Sequence, residues 1–207
     1  YWYRKAAEQG HVQSQYTVGV CCATGRGTQQ SWEQAAYWYQ RAAEQGHMWA
    51  QNNLGSCYLN GNGVEQDWAE AVKWYQKAAD QNNPQAQNEL GNCCFHGRGV
   101  EQDLTRAADW YQKAADQGHP LAQTQLGVCY ENGYGVEKNE WTAVAWYRQA
   151  ADQGNTAAQY NLARCYAEGV GLIRDLRQAI QWYQKAANQG SAEAQNALGC
   201  CYYNATG

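Results

Sequence analysis

Residues 67–79 read DWAEAVKWYQKAA, and this stretch decides the fold. Within it Ala71, Trp74, Tyr75 and Ala78 fall at i, i+3, i+4 and i+7, which is the apolar stripe of an amphipathic helix. The Trp-Tyr pair recurs every 36 residues without insertion or deletion, each time followed by Ala-Ala at a fixed offset. An uninterrupted period of this length indicates stacked helical repeats. The pairs are Trp2-Tyr3, Trp38-Tyr39, Trp74-Tyr75, Trp110-Tyr111, Trp146-Tyr147 and Trp182-Tyr183.

A second helix precedes the Trp-Tyr helix in each repeat; we name the first helix A and the Trp-Tyr helix B. In the second complete repeat His47 stands at the N-cap of helix A, and the Gly61-Asn62-Gly63 turn ends that helix. Asp67 caps helix B, with Glu70 three residues on as in a capping box. The pattern predicts one array over 1–207: the end of a helix B (1–10), complete repeats 11–46, 47–82, 83–118, 119–154 and 155–190, and a lone helix A (191–207).

The consensus Ala-Gln-x-x-Leu-Gly-x-Cys-Tyr-x-x-Gly-x-Gly-Val, followed by Ala-x-x-Trp-Tyr-x-x-Ala-Ala, resembles the Sel1-like repeat family over the whole chain. The resemblance implies an all-α fold, a right-handed α/α superhelical solenoid of 36-residue repeats related to tetratricopeptide arrays. It also implies that A helices line the concave face of the solenoid and B helices the convex face. Departures from the consensus are local, such as Ala163 in place of its glycine.

Charge and hydropathy exclude two classes of partner. The formal net charge of −4 argues against the basic surface of a nucleic-acid-binding protein. No apolar run approaches the roughly 18 residues that span a bilayer, so we expect no direct membrane insertion. Because Tyr1-Trp2-Tyr3 already matches the middle of the repeat motif, we expect the chain to be a piece of a longer protein.

The nine cysteines do not follow a disulfide pattern. Equivalent positions of neighbouring helices lie about 8–10 Å apart, which exceeds the roughly 7 Å between Cα atoms that a disulfide tolerates. We therefore expect reduced, mostly buried thiols, which favours a reducing compartment. Six of the cysteines recur every 36 residues: Cys21, Cys57, Cys93, Cys129, Cys165 and Cys201.

No motif for catalysis or cofactor binding stands out. The Gly-x-Gly elements lack the preceding strand and the lysine of a phosphate loop, so we interpret them as turns. The cluster from Cys93 to His96 has no second cluster to complete a zinc site. A disulfide-rich branch of the resembling family is β-lactamase-like, but Ala43 and Gln51 occupy its cysteine positions here and no Ser-x-x-Lys motif occurs. We expect no catalytic residues, no metal and no cofactor.

The groove formed by the A helices is the predicted binding surface. An asparagine side chain offers a donor and an acceptor to a peptide backbone, and tryptophan and tyrosine are frequent interface anchors. The alternative is an ordinary solvated helix face, which large aromatic residues such as Trp49 disfavour. By analogy with tetratricopeptide arrays, the predicted site residues are Tyr16, Trp49, Asn52, Asn88, Asn92, Phe95, His96, Tyr160, Arg164, Asn196 and Tyr203.

These features favour an interaction scaffold or adaptor that receives a peptide segment or a partner domain in the groove. One alternative is a module that binds carbohydrate or peptidoglycan, for which aromatic and carboxamide side chains would serve equally well. A weaker alternative is a β-lactamase-like hydrolase acting on cell-wall material. The predicted partner is a protein or peptide, and the exposed terminal repeats would also allow end-to-end self-association.

Overall fold

The structure, a computed structural model, describes residues 1–205. Twelve α-helices and no strand occupy this part of the chain, so the predicted all-α fold class is confirmed. Corresponding helices start 36 residues apart, in register with the sequence repeat. In chain order, the helices are α1 Trp2–Glu8, α2 Val12–Thr24, α3 Trp32–Glu44, α4 Met48–Asn60, α5 Trp68–Asp80, α6 Pro84–His96, α7 Leu104–Asp116, α8 Pro120–Asn132, α9 Glu140–Asp152, α10 Thr156–Glu168, α11 Leu176–Asn188 and α12 Ala192–Ala205.

The helices form two compact units. Unit 1 is Tyr1–Asp103 and contains α1 to α6, whereas unit 2 is Leu104–Gly207 and contains α7 to α12. Within each unit every helix packs against the next one in the chain. Helices A are the even-numbered ones and helices B the odd-numbered ones.

The predicted caps fix where the helices begin. The Nδ1 atom of His47 accepts a hydrogen bond from the backbone N–H of Ala50 at 3.2 Å, and other A helices begin in the same way. Asp67 accepts from the N–H of Glu70, as the capping box predicts. The reciprocal half of that box is replaced, because the N–H of Asp67 donates to the carbonyl of Tyr58 at 3.0 Å. This bond ties the start of helix B to helix A of the same repeat.

The second glycine of four of the five Gly-x-Gly turns lies directly against a neighbouring repeat; the exception is Gly27. Gly99 has φ +71°, and a Cβ atom there would lie 2.2 Å from the carbonyl oxygen of Trp68, at the start of the previous helix B. In unit 2 a Cβ on Gly135 would lie 2.0 Å from the carbonyl oxygen of Leu104. Only glycine combines this left-handed conformation with so close a backbone contact. The turns are therefore structural, as predicted.

In three repeats the tyrosine of the Trp-Tyr pair closes the core against the glycine of helix A, at Gly19, Gly55 and Gly127. Tyr75 and Tyr147 are fully buried. A Cβ atom on Gly55 would lie 2.8 Å from the Tyr75 ring, and one on Gly127 would lie 2.5 Å from the Tyr147 ring. The consensus glycine thus allows the aromatic ring to reach the backbone of helix A.

A buried row of glutamines joins successive repeats, which the sequence analysis missed. Nε2 of Gln51 donates to the carbonyl of Ala43 at 3.1 Å, and its Oε1 accepts from Gln81 of the next helix B at 2.8 Å. Gln123 and Gln153 repeat the second bond in unit 2. These bonds satisfy polar groups at the seam between repeats. The sequence signal for these bonds is the glutamine of the Ala-Gln pair, which recurs in the consensus.

All nine cysteines are free thiols. Burial raises the pKa of Cys57 and Cys129 to about 11 and that of Cys93 and Cys165 to about 12. These four thiols are buried, as are the non-periodic Cys22 and Cys94. The other two periodic cysteines are half-buried, so the prediction of mostly buried cysteines is confirmed.

Candidate functional site

One face of each helix A is open to solvent. In α4 this face consists of Trp49, Asn53, Ser56 and Asn60, at i, i+4, i+7 and i+11. The buried residues of the same helix are Ala50, Gln51, Asn52, Leu54, Gly55 and Cys57. We call this face, and its equivalents at 36-residue intervals, the A-helix surface. Trp49 is 44% exposed on it.

Five of the predicted site residues share a single repeat position, which lies at the seam between repeats. The ring of Tyr16 stacks on His47, the N-cap of the next helix A, with 4.5 Å between centroids. Oγ1 of the corresponding Thr124 lies 3.2 Å from Oδ1 of the N-cap Asn155. The other four residues at this position in the chain are Asn52, Asn88, Tyr160 and Asn196.

The prediction that Asn52 and Asn88 stand exposed in the groove is wrong, because they are only 7% and 2% exposed. Position 52 directly precedes the open position 53, and a step of one residue turns the side chain by about 100° around the helix. The side chain therefore faces the next repeat instead of solvent. Asn196 is exposed, and Tyr160 is half-buried with its ring centroid 5.7 Å from that of Tyr183.

The remaining predicted residues differ in their surroundings. Nδ2 of Asn92 donates to Oε2 of Glu89 at 3.1 Å. Phe95 is half-buried, with its ring edge-on to the exposed His96. Tyr203 is exposed. Of these residues, Asn92 and His96 lie on the A-helix surface.

In unit 2 the predicted residue Arg164 is paired within the chain. Its Nη2 atom contacts both carboxylate oxygens of Glu131 at 2.5 and 2.7 Å, and the hydroxyl of Tyr147 donates to the same carboxylate at 2.7 Å. Burial lowers the pKa of Arg164, but the hydrogen bonds and charge of Glu131 outweigh this effect and raise it overall. Burial, with the bond to Glu131, raises the pKa of Tyr147. This cluster satisfies its own charges and leaves little for a partner.

In unit 1 the corresponding place is an open pocket of about 320 Å³. Glu89 lies in its wall, and Oε1 of Glu89 accepts a hydrogen bond from Nε2 of Gln85 at 2.9 Å. Glu89 makes no ion pair within residues 1–205. We call this the unit-1 pocket; it is lined by Asn52, Asn53, Ser56, Leu59, Asn60, Tyr75, Gln85 and Glu89.

Asn52 carries an unsatisfied group into this pocket. Its Oδ1 atom is buried and has no hydrogen-bond partner, while its Nδ2 atom is 3.3 Å from Oδ1 of Asn53. A buried polar atom without a partner costs about 1–3 kcal/mol. Asn88, at the same position of the next repeat, has the same unsatisfied Oδ1 atom, and a donor that reached either atom would remove this cost.

Sequence reasoning missed Glu89, Asn53 and Gln85 as pocket residues. The available signal was variation within the repeat, because position 53 is Asn, Glu, Gln and Asn in four successive complete repeats. Within residues 1–205 no three His, Cys, Asp or Glu side chains are grouped as metal ligands would be. No helix in the described part of the chain has the length and apolar character needed to span a membrane.

Comparison with known protein families identifies the repeat. The sequence profile of the Sel1 repeat matches residues 1–11, 12–47, 50–83, 84–119, 120–155, 156–191 and 192–207. Comparison with curated proteins gives no match.

Three solved structures are similar. A protective antigen of uropathogenic Escherichia coli with an SLR fold is 41% identical with a TM-score of 0.89, and the match covers 96% of this chain and 42% of that one. A Sel1 repeat protein from Oxalobacter formigenes is 37% identical with a TM-score of 0.86, over 92% of this chain and 76% of that one. An immunity protein from Pseudomonas aeruginosa is 28% identical with a TM-score of 0.60, over 88% and 67% of the two chains. The chain thus spans less than half of the Escherichia coli antigen.

Proposed function

Since this chain belongs to the Sel1 repeat family, whose members generally mediate protein–protein interactions, we propose that it holds a peptide segment or a partner domain on the A-helix surface of unit 1. The observation that carries the proposal is the unit-1 pocket, where a buried acceptor lacks a partner. Native proteins rarely leave such an atom unsatisfied without a functional reason.

The surroundings of the pocket suit a protein partner. Trp49 lies one helical turn before the pocket residue Asn53, on the same face of α4. An exposed tryptophan beside a polar pocket is a typical arrangement of an interface anchor and the contacts around it. Ser56 and Asn60 extend the polar surface along the same helix.

A second candidate is glycan binding on a different surface. Trp68 at the start of α5 is exposed, and the guanidinium of Arg98 lies 5.8 Å from the centre of its ring. An exposed indole beside a hydrogen-bond donor could stack on a sugar ring. Catalysis is not proposed, because the Sel1 repeat fold is typically a non-catalytic scaffold.

A selection with two arms tests the proposal. Random peptides displayed on phage are selected against the 207-residue chain, and a glycan array that includes peptidoglycan fragments is screened in parallel. Ligands from either arm are then mapped by NMR shift changes of the ¹⁵N-labelled chain. We expect peptides whose shifts centre on Trp49, Asn53 and Asn60. Selection of glycans alone, or peptide shifts centred on Trp68, would refute the assignment.

A further inference from the structure

We propose that the unit-1 pocket receives a cationic side chain, lysine or arginine, of the protein partner. The inference rests on the proposed function and specifies the chemistry of the partner at one site. Its basis is an inventory of the hydrogen-bond donors and acceptors that line the pocket.

Amide groups around the carboxylate of Glu89 already direct donors to it. Gln85, Asn88 and Asn92 each direct an amide N–H group to the carboxylate of Glu89, at 2.9, 3.3 and 3.1 Å. Nδ2 of Asn60 donates to the backbone carbonyl of Ser56 at 2.9 Å. These bonds orient the carboxylate but leave its negative charge without a counter-ion.

The acceptors, in contrast, remain open. Oδ1 of Asn52 has no partner, and the carboxylate of Glu89 has no cation within residues 1–205. A lysine ammonium brings three donors, an arginine guanidinium brings five, and neither has an acceptor. Such a group would supply both the positive charge and the hydrogen bonds that the pocket lacks. An acidic or purely apolar side chain would supply neither.

The corresponding positions of unit 2 carry other residues with other bonds. Asn161 stands where Glu89 stands in unit 1, so the carboxylate is absent. Thr124 replaces Asn52, and its hydroxyl donates to the carbonyl of Pro120 at 2.8 Å. Arg164, which stands where Asn92 stands in unit 1, is paired with Glu131. The unsatisfied acceptors of unit 1 are therefore not a general property of the repeat.

Short capped peptides, Gly-Gly-X-Gly-Gly with X as lysine, arginine, norleucine or glutamate, test the inference. We expect the lysine and arginine peptides to shift the side-chain amide signals of Asn52, Asn53 and Asn60 in a saturable way. Their dissociation constants should be at least tenfold lower than that of the norleucine peptide, which matches lysine in length without its charge. Equal binding of the norleucine and lysine peptides would overturn the inference.

Three variants locate the effect. Glu89→Gln keeps the shape of the side chain and should abolish the preference for lysine, whereas Glu101→Gln makes the same charge change on an exposed loop and should preserve it. Asn52→Leu should weaken binding of the lysine peptide without lowering the Tm, because removal of the unsatisfied Oδ1 atom offsets the loss of the 3.3 Å bond from Nδ2 to Asn53. A preference for lysine that survives in Glu89→Gln would contradict the assignment.

The cation preference and the proposed function can fail independently of each other. If selected peptides bind the A-helix surface but show no preference for a cation, only this inference fails. If the lysine peptide binds the pocket but no random peptide is selected, the pocket is a cation site and the proposed peptide interface fails.

Discussion

Replacing the consensus glycine of helix A by alanine should have opposite effects at two positions. In α8 a Cβ on Gly127 would lie 2.5 Å from the ring of Tyr147, whereas in α12 nothing lies within 4 Å of a Cβ on Gly199. The helix-propensity gain from glycine to alanine is about 0.5–1 kcal/mol at both positions. Only Gly127→Ala introduces a clash.

The size of the clash follows from how firmly the ring is held. Tyr147 is fully buried, and its hydroxyl donates to Glu131 at 2.7 Å, so the ring cannot easily move away. An added methyl group in a packed core costs about 1–3 kcal/mol. Because the ring is held in place, the upper part of this range, about 2–3 kcal/mol, applies. After a helix-propensity gain of about 1 kcal/mol is subtracted, Gly127→Ala should lower the free energy of unfolding by about 1–2 kcal/mol. Gly199→Ala should raise it by about 0.5–1 kcal/mol.

One natural alanine indicates which feature matters. Ala163 occupies the glycine position in the last complete repeat, opposite Tyr183. There Ala167 stands where Glu131 would be, so no glutamate holds the tyrosine ring in place. The ring can shift to accommodate the methyl group.

Thermal unfolding followed by circular dichroism measures the difference. A change of 1 kcal/mol moves the Tm of a chain of this size by about 2–4 °C. The Tm of Gly127→Ala should therefore fall by about 2–8 °C, while that of Gly199→Ala should rise. A rise in both variants would show that the tyrosine–glycine contact between helices A and B of a repeat is not closely packed, and would refute the reasoning.

Two further predictions concern the turns and the thiols. Gly99→Ala should lower the free energy of unfolding in urea by about 1–3 kcal/mol more than Gly27→Ala. Both glycines have φ +71°, but only a Cβ atom on Gly99 would meet a carbonyl oxygen. Equal losses would show that the close contact with Trp68 is unimportant. The exposed Cys200 should react at once with a thiol reagent at pH 8, and the buried thiols only after denaturation. Because unfolded thiols ionise near pH 9 and the buried ones at about 11 to 12, their contribution to stability should be complete below pH 9 and fall as the pH rises towards 12. Cys129→Ala should reduce this alkaline loss, and an unchanged pH profile would contradict the burial of that thiol.

The repeat period made the helices predictable. His47 and Asp67 mark where helices begin, and the turn after Asn60 marks where helix A ends, because caps and glycine turns act locally. The packing of Trp74 and Tyr75 followed from a 3.6-residue stripe of the kind any buried helix shows.

The candidate site was less predictable, because it depends on contacts between repeats. The positions of Asn52 and Asn53 differ by one residue, and only the packing of the next repeat decides which of them faces solvent. The bonds from Gln85 and Asn92 to Glu89 follow helical spacings that the sequence contains. The missing partner of Asn52 is a tertiary property that no local pattern encodes.

The central claim is that a partner binds the A-helix surface of unit 1, and two tryptophans test it most directly. Trp49 is 44% exposed on that surface, whereas Trp141 is 73% exposed on helix B of unit 2. Isothermal titration of a selected peptide into each alanine variant compares their contributions to binding. Trp49→Ala should weaken binding by about 2 kcal/mol or more with an unchanged Tm, and Trp141→Ala should leave the affinity as it was. Loss of affinity in Trp141→Ala, with full affinity in Trp49→Ala, would contradict the account.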